Sequence, residues 1–207
     1  MMSVTSETVG LTIADAAVLP VPVGRLSVEK YHEMIRQGIL TENDRLELLD
    51  GILVRKMTIN PPHGSATELI REALDRVLPE GWHLESQRPV TLAASEPEPD
   101  GMVVRGRVRD YGDRHPSPSE VALVIEVADA TLAADRTFKM ALYAQAGIAV
   151  YWIVNLTDRQ IEVYTEPAGA AERPAYAVRR DYGPLDEVPV VIAGQDAGRV
   201  AVADLLP

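Results

Sequence analysis

Two carboxylates and one lysine have the residue types and the spacing of a metal-assisted hydrolytic site. Asp100 follows a proline in PEPDGMVV, Glu126 lies near the end of the aliphatic run ALVIEV, and Lys139 falls in DRTFKMALYAQAG. Magnesium prefers carboxylate oxygens, commonly one or two from the protein together with water and phosphate. A lysine beside such an ion can orient an attacking water and offset the charge that develops on a phosphate. Together, the three side chains predict phosphodiester hydrolysis.

Each of these residues also has an ordinary structural explanation when it is considered alone. Glu126 could face water at the edge of the sheet, because a carboxylate is costly to bury unless it is paired or bound to a cation. Pro-Asp-Gly is a common turn signal. Lys139 lies four residues after Asp135, which is the spacing of a surface ion pair. Glu47 lies in the charged run ENDRLELLD, which is typical of a solvated face. Both interpretations stay open at this point.

A polar loop after the segment PDGMVV is rich in basic residues. It carries four arginines, namely Arg105, Arg107, Arg109 and Arg114. Guanidinium groups bind phosphate oxygens, so these arginines are candidate DNA-binding residues. Asp110 and Asp113 are interleaved with them, and an ordinary solvated loop explains the pattern at least as well.

Composition narrows the chemistry that these residues can perform. The chain has 207 residues, 46% of them hydrophobic and 25% charged, which fits one folded domain. It has no cysteine, so any metal must bind to oxygen or imidazole ligands. The net charge of −11 argues against strong nonspecific DNA binding, but it allows a local basic groove or a bound metal.

The sequence also carries no sign of a membrane segment. No apolar run approaches the roughly 20 residues that span a bilayer, and the N-terminal residues do not resemble a signal peptide. We therefore expect a cytoplasmic protein that does not enter a membrane.

The elements that must position these residues indicate a mixed α/β fold, with a central mixed sheet flanked by helices. Residues 1–24 are expected to form a flexible N-terminal arm, followed by one domain over 25–207. Helices are predicted from the N-cap Ser27 to about residue 37, over 64–78, and over 130–147. ALVIEV and AVYWIV predict two central strands, joined by the third helix in a right-handed crossover. Other extended segments are predicted at ILVRKM, WHLESQRPVTL, PDGMVV, QIEVYT, AYAVR and PVVIA.

Over about residues 25–165 the chain resembles the Uma-two family of restriction-endonuclease-like proteins, within the PD-(D/E)XK nuclease superfamily. The resemblance rests on the ordered segments RLSVEKYHEM, LELLDGILV, PPHGSA, PEPDGMVV, LVIEVADAT and DRTFKMALYAQAGIAVYWIV. It implies a restriction-endonuclease-like fold and an endonuclease that hydrolyses DNA with Mg²⁺ or Mn²⁺. A homodimer is a further expectation, because cutting both strands often uses two active sites.

The resemblance also implies roles for individual residues. Asp100 and Glu126 match the metal-binding acids, and Glu47 matches an extra acid that assists the metal or the water. The lysine of the superfamily normally lies two residues after the second acid, where this sequence has Ala128. Lys139 on the following helix takes its place and is expected to position the attacking water.

Three further residues match family positions with supporting roles. Asp135 and Tyr143 are expected to support the helix and the lysine. His63 matches a histidine before the second helix, with either a structural capping role or a role facing phosphate.

One departure from the family pattern motivates a second hypothesis. Asp129 stands where the family usually has a serine, and an added acid there could change metal preference or repel DNA. The alternative is a catalytically inactive nuclease-fold module that uses the groove for binding or dimerisation. Other hydrolase classes are unsupported, because the sequence has no Gly-x-Ser-x-Gly elbow, P-loop or paired-histidine zinc motif.

Overall fold

The structure is a computed structural model that describes residues 24–168 and 174–207. Its centre is a six-stranded sheet in the order β3–β4–β5–β6–β7–β8. These strands are β3 (Trp82–Glu85), β4 (Gly101–Arg105), β5 (Val121–Ala128), β6 (Val150–Asn155), β7 (Gln160–Pro167) and β8 (Tyr176–Tyr182). Strands β5 and β6 are parallel, and the other neighbouring pairs are antiparallel. The predicted mixed sheet is confirmed.

Two hairpins and the helices complete the fold. Helix α1 (Val28–Arg36) precedes a hairpin of β1 (Leu46–Leu49) and β2 (Ile52–Arg55), and helix α2 (Pro61–Asp75) follows. A second hairpin consists of β9 (Glu187–Ile192) and β10 (Gln195–Ala201). Residues 1–23 of the expected N-terminal arm lie outside the described residues. No helix in the described ranges is long and apolar enough to cross a membrane.

Between β5 and β6 the chain forms one unbroken helical stretch. It consists of α3 (Leu132–Ala134), a π-helical turn (Asp135–Lys139) and α4 (Met140–Gln145). The predicted helix over 130–147 is therefore present, although it starts slightly later and contains a π-turn that the periodicity did not indicate. Such insertions in helices are frequent at functional sites.

Strands β5 and β6 form the centre of the core, as their continuous aliphatic sequences predict. Every residue of both strands is buried. One face of β5, including Ile125 and Val127, packs with apolar residues of α2 and of the β9–β10 hairpin. The opposite face, including Val124 and Ala128, packs with α4. The sheet is therefore covered on both sides at the position of Glu126.

Local signals explain where the first two helices begin. Ser27 is the N-cap of α1 as predicted, and its hydroxyl accepts a hydrogen bond from the Lys30 N–H at 3.2 Å. Helix α2 spans Pro61–Asp75 rather than the predicted 64–78, and Asn60 is its N-cap. The two prolines lie in the first turn, where their missing N–H groups cost no hydrogen bond. The prediction erred because it treated them as preceding the helix.

Other differences concern strands with weak sequence signals. Only Trp82–Glu85 of the predicted extended segment WHLESQRPVTL pairs as a strand. Strand β10 was not predicted, because its sequence QDAGRVA lacks apolar alternation and its pairing shifts register between Asp196 and Gly198. The predicted turn at Asp50 and Gly51 connects β1 to β2, and both residues have positive φ.

Candidate active site

Asp100 and Glu126 lie side by side at one end of the antiparallel pair β4–β5. Gly101 pairs with Ile125, so Asp100 and Glu126 occupy the next position of the same ladder. Residues directly opposite on antiparallel strands project from the same face. The Asp100 side chain also touches β5, because its Oδ2 accepts a hydrogen bond from the Val127 N–H at 2.8 Å. The structure thus brings the two predicted acids together.

Glu126 is held by two side chains of the helical stretch that covers it. Its carboxylate is buried, with the residue 3% exposed. Oε1 accepts hydrogen bonds from Lys139 Nζ at 2.9 Å and from the Tyr143 hydroxyl at 2.7 Å. Lys139 and Tyr143 are four residues apart, which places them on one helix face. The interpretation of Glu126 as a solvent-facing residue is therefore wrong, and Lys139 points inward.

The charges around Glu126 and Lys139 favour the binding of a further cation. Burial raises the pKa of Glu126, the Lys139 charge opposes this effect, and the nearby Asp100 and Asp135 charges add to it. Burial lowers the pKa of Lys139, but the Glu126, Glu47 and Asp135 carboxylates outweigh burial and raise it. Lys139 is therefore an ammonium at neutral pH. Several acids surround this ammonium group, so a further positive charge would stabilise them.

His63 joins the site from the first turn of α2. Its Nε2 lies 3.1 Å from Asp100 Oδ2, and the hydrogen bond to Asp100 raises the pKa of His63. The His63 backbone N–H donates to Asn60 Oδ1 at 3.0 Å, so the N-cap fixes the residue that reaches Asp100. The sequence pattern PPHGSA pointed to this histidine, but it did not indicate that the side chain contacts Asp100.

Glu47 reaches the same region from the β1–β2 hairpin. It is buried, rather than part of a solvated face. Its Oε2 accepts a hydrogen bond from the Glu98 N–H at 3.1 Å, two residues before Asp100. The Glu47 charge also contributes to the raised pKa of Lys139. Glu47 therefore borders the pair of acids without a direct hydrogen bond to Lys139.

Ala128, at the usual lysine position of the superfamily, and Asp129, at the expected serine position of the family, have different environments. Ala128 is completely buried in the core beneath α4. Asp129 is exposed, and its Oδ2 accepts a hydrogen bond from Asn60 Nδ2 at 2.8 Å. The Asp129 carboxylate therefore binds the residue that caps α2, beside the helix turn that carries His63.

Among the described residues, none of the four arginines predicted to bind DNA forms a hydrogen bond or ion pair with Asp100 or Glu126. Arg105 ends β4, so five residues at about 3.4 Å each place it roughly 17 Å along the strand from Asp100. Arg105 lies over the Trp82 ring at 5.2 Å, and Arg114 binds both oxygens of Glu120 at 2.6–2.8 Å. Arg107 lies 3.8 Å from Asp110, and Arg109 is exposed. DNA binding by this loop stays a prediction.

The donor set at Asp100 and Glu126 fits a hard divalent cation. In the part of the chain that the structure describes, no three His, Asp or Glu side chains form a metal-holding cluster. Magnesium needs only one or two protein carboxylates when water and phosphate complete its shell. Protein donors reach Asp100 at Oδ2 and Glu126 at Oε1. The second oxygen of each carboxylate accepts no hydrogen bond from any described residue.

Comparison with known proteins identifies the family of this chain. The chain belongs to the Uma2 family, described as "Putative restriction endonuclease", which matches residues 28–193. The family prediction is therefore confirmed, and the match extends beyond the segment that carried the resemblance. No curated protein matches the chain.

A solved structure supports the fold assignment. The chain is similar to a putative nuclease belonging to DUF820 from Anabaena variabilis, with a TM-score of 0.61 and 13% sequence identity. The similarity covers 87% of this chain and 97% of that one. At this identity, the likeness shows that the two chains share a fold.

Proposed function

We propose that the chain is a divalent-metal-dependent endonuclease that hydrolyses DNA phosphodiester bonds. The observation that carries this proposal is the buried Glu126, bound by Lys139 and Tyr143 and adjacent to Asp100. Family membership supports the same activity, because the family description names a restriction endonuclease. We expect the protein to act in the cytoplasm.

Asp100 and Glu126 would hold Mg²⁺ or Mn²⁺ through the oxygens that other described residues leave free. Such an ion polarises the phosphate and lowers the pKa of bound water. His63 and the Val127 N–H bind the other oxygen of Asp100 and therefore orient this carboxylate. Tyr143 and Lys139 orient Glu126 in the same way.

Lys139 has a second task during hydrolysis. Its ammonium has three donors, and Glu126 Oε1 takes only one of them. The remaining donors can bind the attacking water or a phosphate oxygen, where negative charge develops. The buried Glu47 stabilises this positive charge from the opposite hairpin. The family resemblance assigns the same task to Lys139, in place of the lysine that the superfamily usually has on the central strand.

Cleavage of supercoiled, linear and branched DNA with Mg²⁺ or Mn²⁺ tests the proposal. We expect Glu126→Gln and Lys139→Met to lower the rate by at least about 10²-fold, as loss of one charge-stabilising group typically does. Asp75→Asn, an exposed acid on α2, is the matched control and should cleave normally. Absence of cleavage on all three substrates, or equal rates for the wild type and Glu126→Gln, would contradict the proposal.

A second candidate function is a catalytically inactive module that binds or dimerises through the same groove. The observation that favours it is that Asp100 and Glu126 are each already bound by two protein donors. Calorimetric titration with Mn²⁺ separates the candidates. The enzyme should bind Mn²⁺ and lose this binding in Asp100→Asn, whereas the inactive module should show no carboxylate-dependent binding. Analytical ultracentrifugation tests the expected homodimer.

A further inference from the structure

Asp135 is a buried acid whose carboxylate is incompletely bonded. The residue is 2% exposed, and its Oδ2 is a buried atom without a hydrogen-bond partner among the described residues. Buried polar atoms are normally hydrogen-bonded, so an unpaired carboxylate oxygen in a core needs a specific explanation. A water molecule or substrate group that binds there would supply the missing donor.

The location of Asp135 connects it to the proposed active site. It begins the π-helical turn that ends at Lys139, four residues later, so both residues project from nearly the same side of the helix. The Asp135 charge acts on Glu126, His63 and Lys139. Its backbone is anchored, because the Asp135 carbonyl accepts a hydrogen bond from the Tyr151 hydroxyl at 3.2 Å. The unpaired oxygen therefore belongs to a residue whose backbone is anchored and whose charge acts on the acids and the lysine of the site.

Hydrolysis releases a proton from the attacking water, and Lys139, His63 and the two metal-binding acids are poorly suited to accept it. Lys139 is an ammonium, which has donors and no acceptor. The hydrogen bond between His63 and Asp100 raises the pKa of His63. The raised pKa favours the imidazolium form, which has donors at both nitrogens. Asp100 Oδ2 and Glu126 Oε1 each already bind two protein groups.

We propose that Asp135 is the proton acceptor of the nuclease reaction, and this assignment rests on the proposed function. The oxygen of the attacking water forms a bond to phosphorus while one proton of the water passes to Asp135 Oδ2. The bond from phosphorus to the leaving sugar oxygen breaks, and its electron pair goes to that oxygen. The leaving oxygen takes a proton from a solvent water, and the hydroxide thus formed removes the proton from Asp135.

Electrostatics support the same assignment. Burial raises the pKa of Asp135, although the nearby Lys139 charge opposes this effect. A carboxylate with a raised pKa holds a transferred proton more firmly than an exposed aspartate does, so it is a better base near neutral pH. The activity of the wild type should fall as the pH decreases through this raised pKa, because the protonated acid cannot accept.

The variant Asp135→Asn tests the proposal, since its amide has nearly the same shape but cannot accept a proton in place of the carboxylate. In steady-state cleavage we expect kcat to fall by about 10²–10⁴-fold, with KM within a factor of about two. The residual rate should rise about tenfold per pH unit, because hydroxide then replaces the water and its base. Mn²⁺ affinity, measured by calorimetry, should equal that of the wild type.

Controls separate this role from a structural one. Asp75→Asn removes an exposed acid and should leave kcat unchanged. Asp135→Ala opens space for a small carboxylate, so added formate should restore activity in proportion to its concentration. A kcat for Asp135→Asn within tenfold of the wild type, a loss of Mn²⁺ affinity, or absence of formate rescue would each overturn the assignment.

The outcomes also distinguish this assignment from the proposed function. If the wild type cleaves no DNA with either metal, the nuclease proposal fails and the proton-acceptor role fails with it. If the wild type cleaves and Asp135→Asn cleaves equally fast, only the role of Asp135 fails. If Asp135→Asn does not fold, formate rescue of Asp135→Ala decides the question.

Discussion

Replacement of Glu162 by glutamine should produce a large and pH-dependent loss of stability. Glu162 on β7 is fully buried, and its carboxylate lies under two arginines. It accepts hydrogen bonds from the Arg136 guanidinium, from Asn155 Nδ2 at 2.8 Å and from the Tyr164 hydroxyl at 2.7 Å. Arg179 Nη2 lies 3.3 Å from Oε2. A buried charge with this many donors should favour the ionised form strongly.

The magnitude follows from the pKa of the acid. Burial raises it, but the bonds from Arg136, Asn155 and Tyr164 outweigh burial and lower the pKa of Glu162 from 4.5 to about 2. At about 1.36 kcal/mol for each pKa unit, ionised Glu162 contributes about 3 kcal/mol. Loss of one partner of a buried ion pair typically costs about 3–5 kcal/mol, which agrees. A domain of this kind has a total stability of about 5–15 kcal/mol, so the variant should still fold.

The pH dependence gives the sharper test. Because the pKa of Glu162 is lower in the folded state, its contribution is fully present above the ordinary pKa of 4.5 and is lost as the pH falls through about 2. Urea unfolding should show Glu162→Gln to be about 3 kcal/mol less stable than the wild type at pH 7, and only about 1.5 kcal/mol less stable near pH 3.

A matched substitution controls for the loss of a negative charge from this acidic protein. Glu80→Gln changes an exposed acid and should alter stability by less than about 0.5 kcal/mol at either pH. A difference at pH 7 below about 1 kcal/mol for Glu162→Gln, or a difference that does not narrow on acidification, would refute the reasoning.

Three further substitutions test the elements that carry the site. Asn60→Ala removes the N-cap of α2 and the hydrogen bond to Asp129. It should lower the free energy of unfolding in urea titrations by about 1 kcal/mol, and an unchanged midpoint would contradict this. Gly51→Ala puts a Cβ 2.6 Å from Arg25 Cβ at a φ of +74°. The thermal unfolding midpoint of this variant should fall by several degrees, and a rise would show that the added Cβ causes no strain. Trp152→Ala empties a fully buried position and should cost about 3–5 kcal/mol, unless the core collapses around the cavity.

The central sheet could be predicted from the sequence because its signals are local. ALVIEV and AVYWIV are continuous aliphatic runs, and such runs are typical of strands covered on both faces. Strand β10 could not be predicted in this way. Its exposed polar residues and Gly198 carry no alternation, and the strand exists because it pairs with β9.

The sequence selects candidate site residues that the structure brings together, but it does not predict their surroundings. Residue types and family resemblance selected Asp100, Glu126 and Lys139. The burial of Glu126 depends on Tyr143, which is 17 residues away and reaches the carboxylate only after the helix packs on the sheet. Tertiary packing also produces the contact of His63 with Asp100 and the unpaired oxygen of Asp135. Local sequence patterns do not predict such packing.

Packing at one position is compatible with the proposed role of a helix lysine in place of a strand lysine. Ala128 lies two residues after Glu126, so both side chains project from the same face of β5. That face is covered by α4, and Ala128 is completely buried there. A lysine at position 128 would have to fit beneath the helix, whereas alanine lets the helix approach closely enough for Lys139 to reach Glu126. The small residue on the strand therefore permits the contact between the helix lysine and Glu126 on which the proposed function depends.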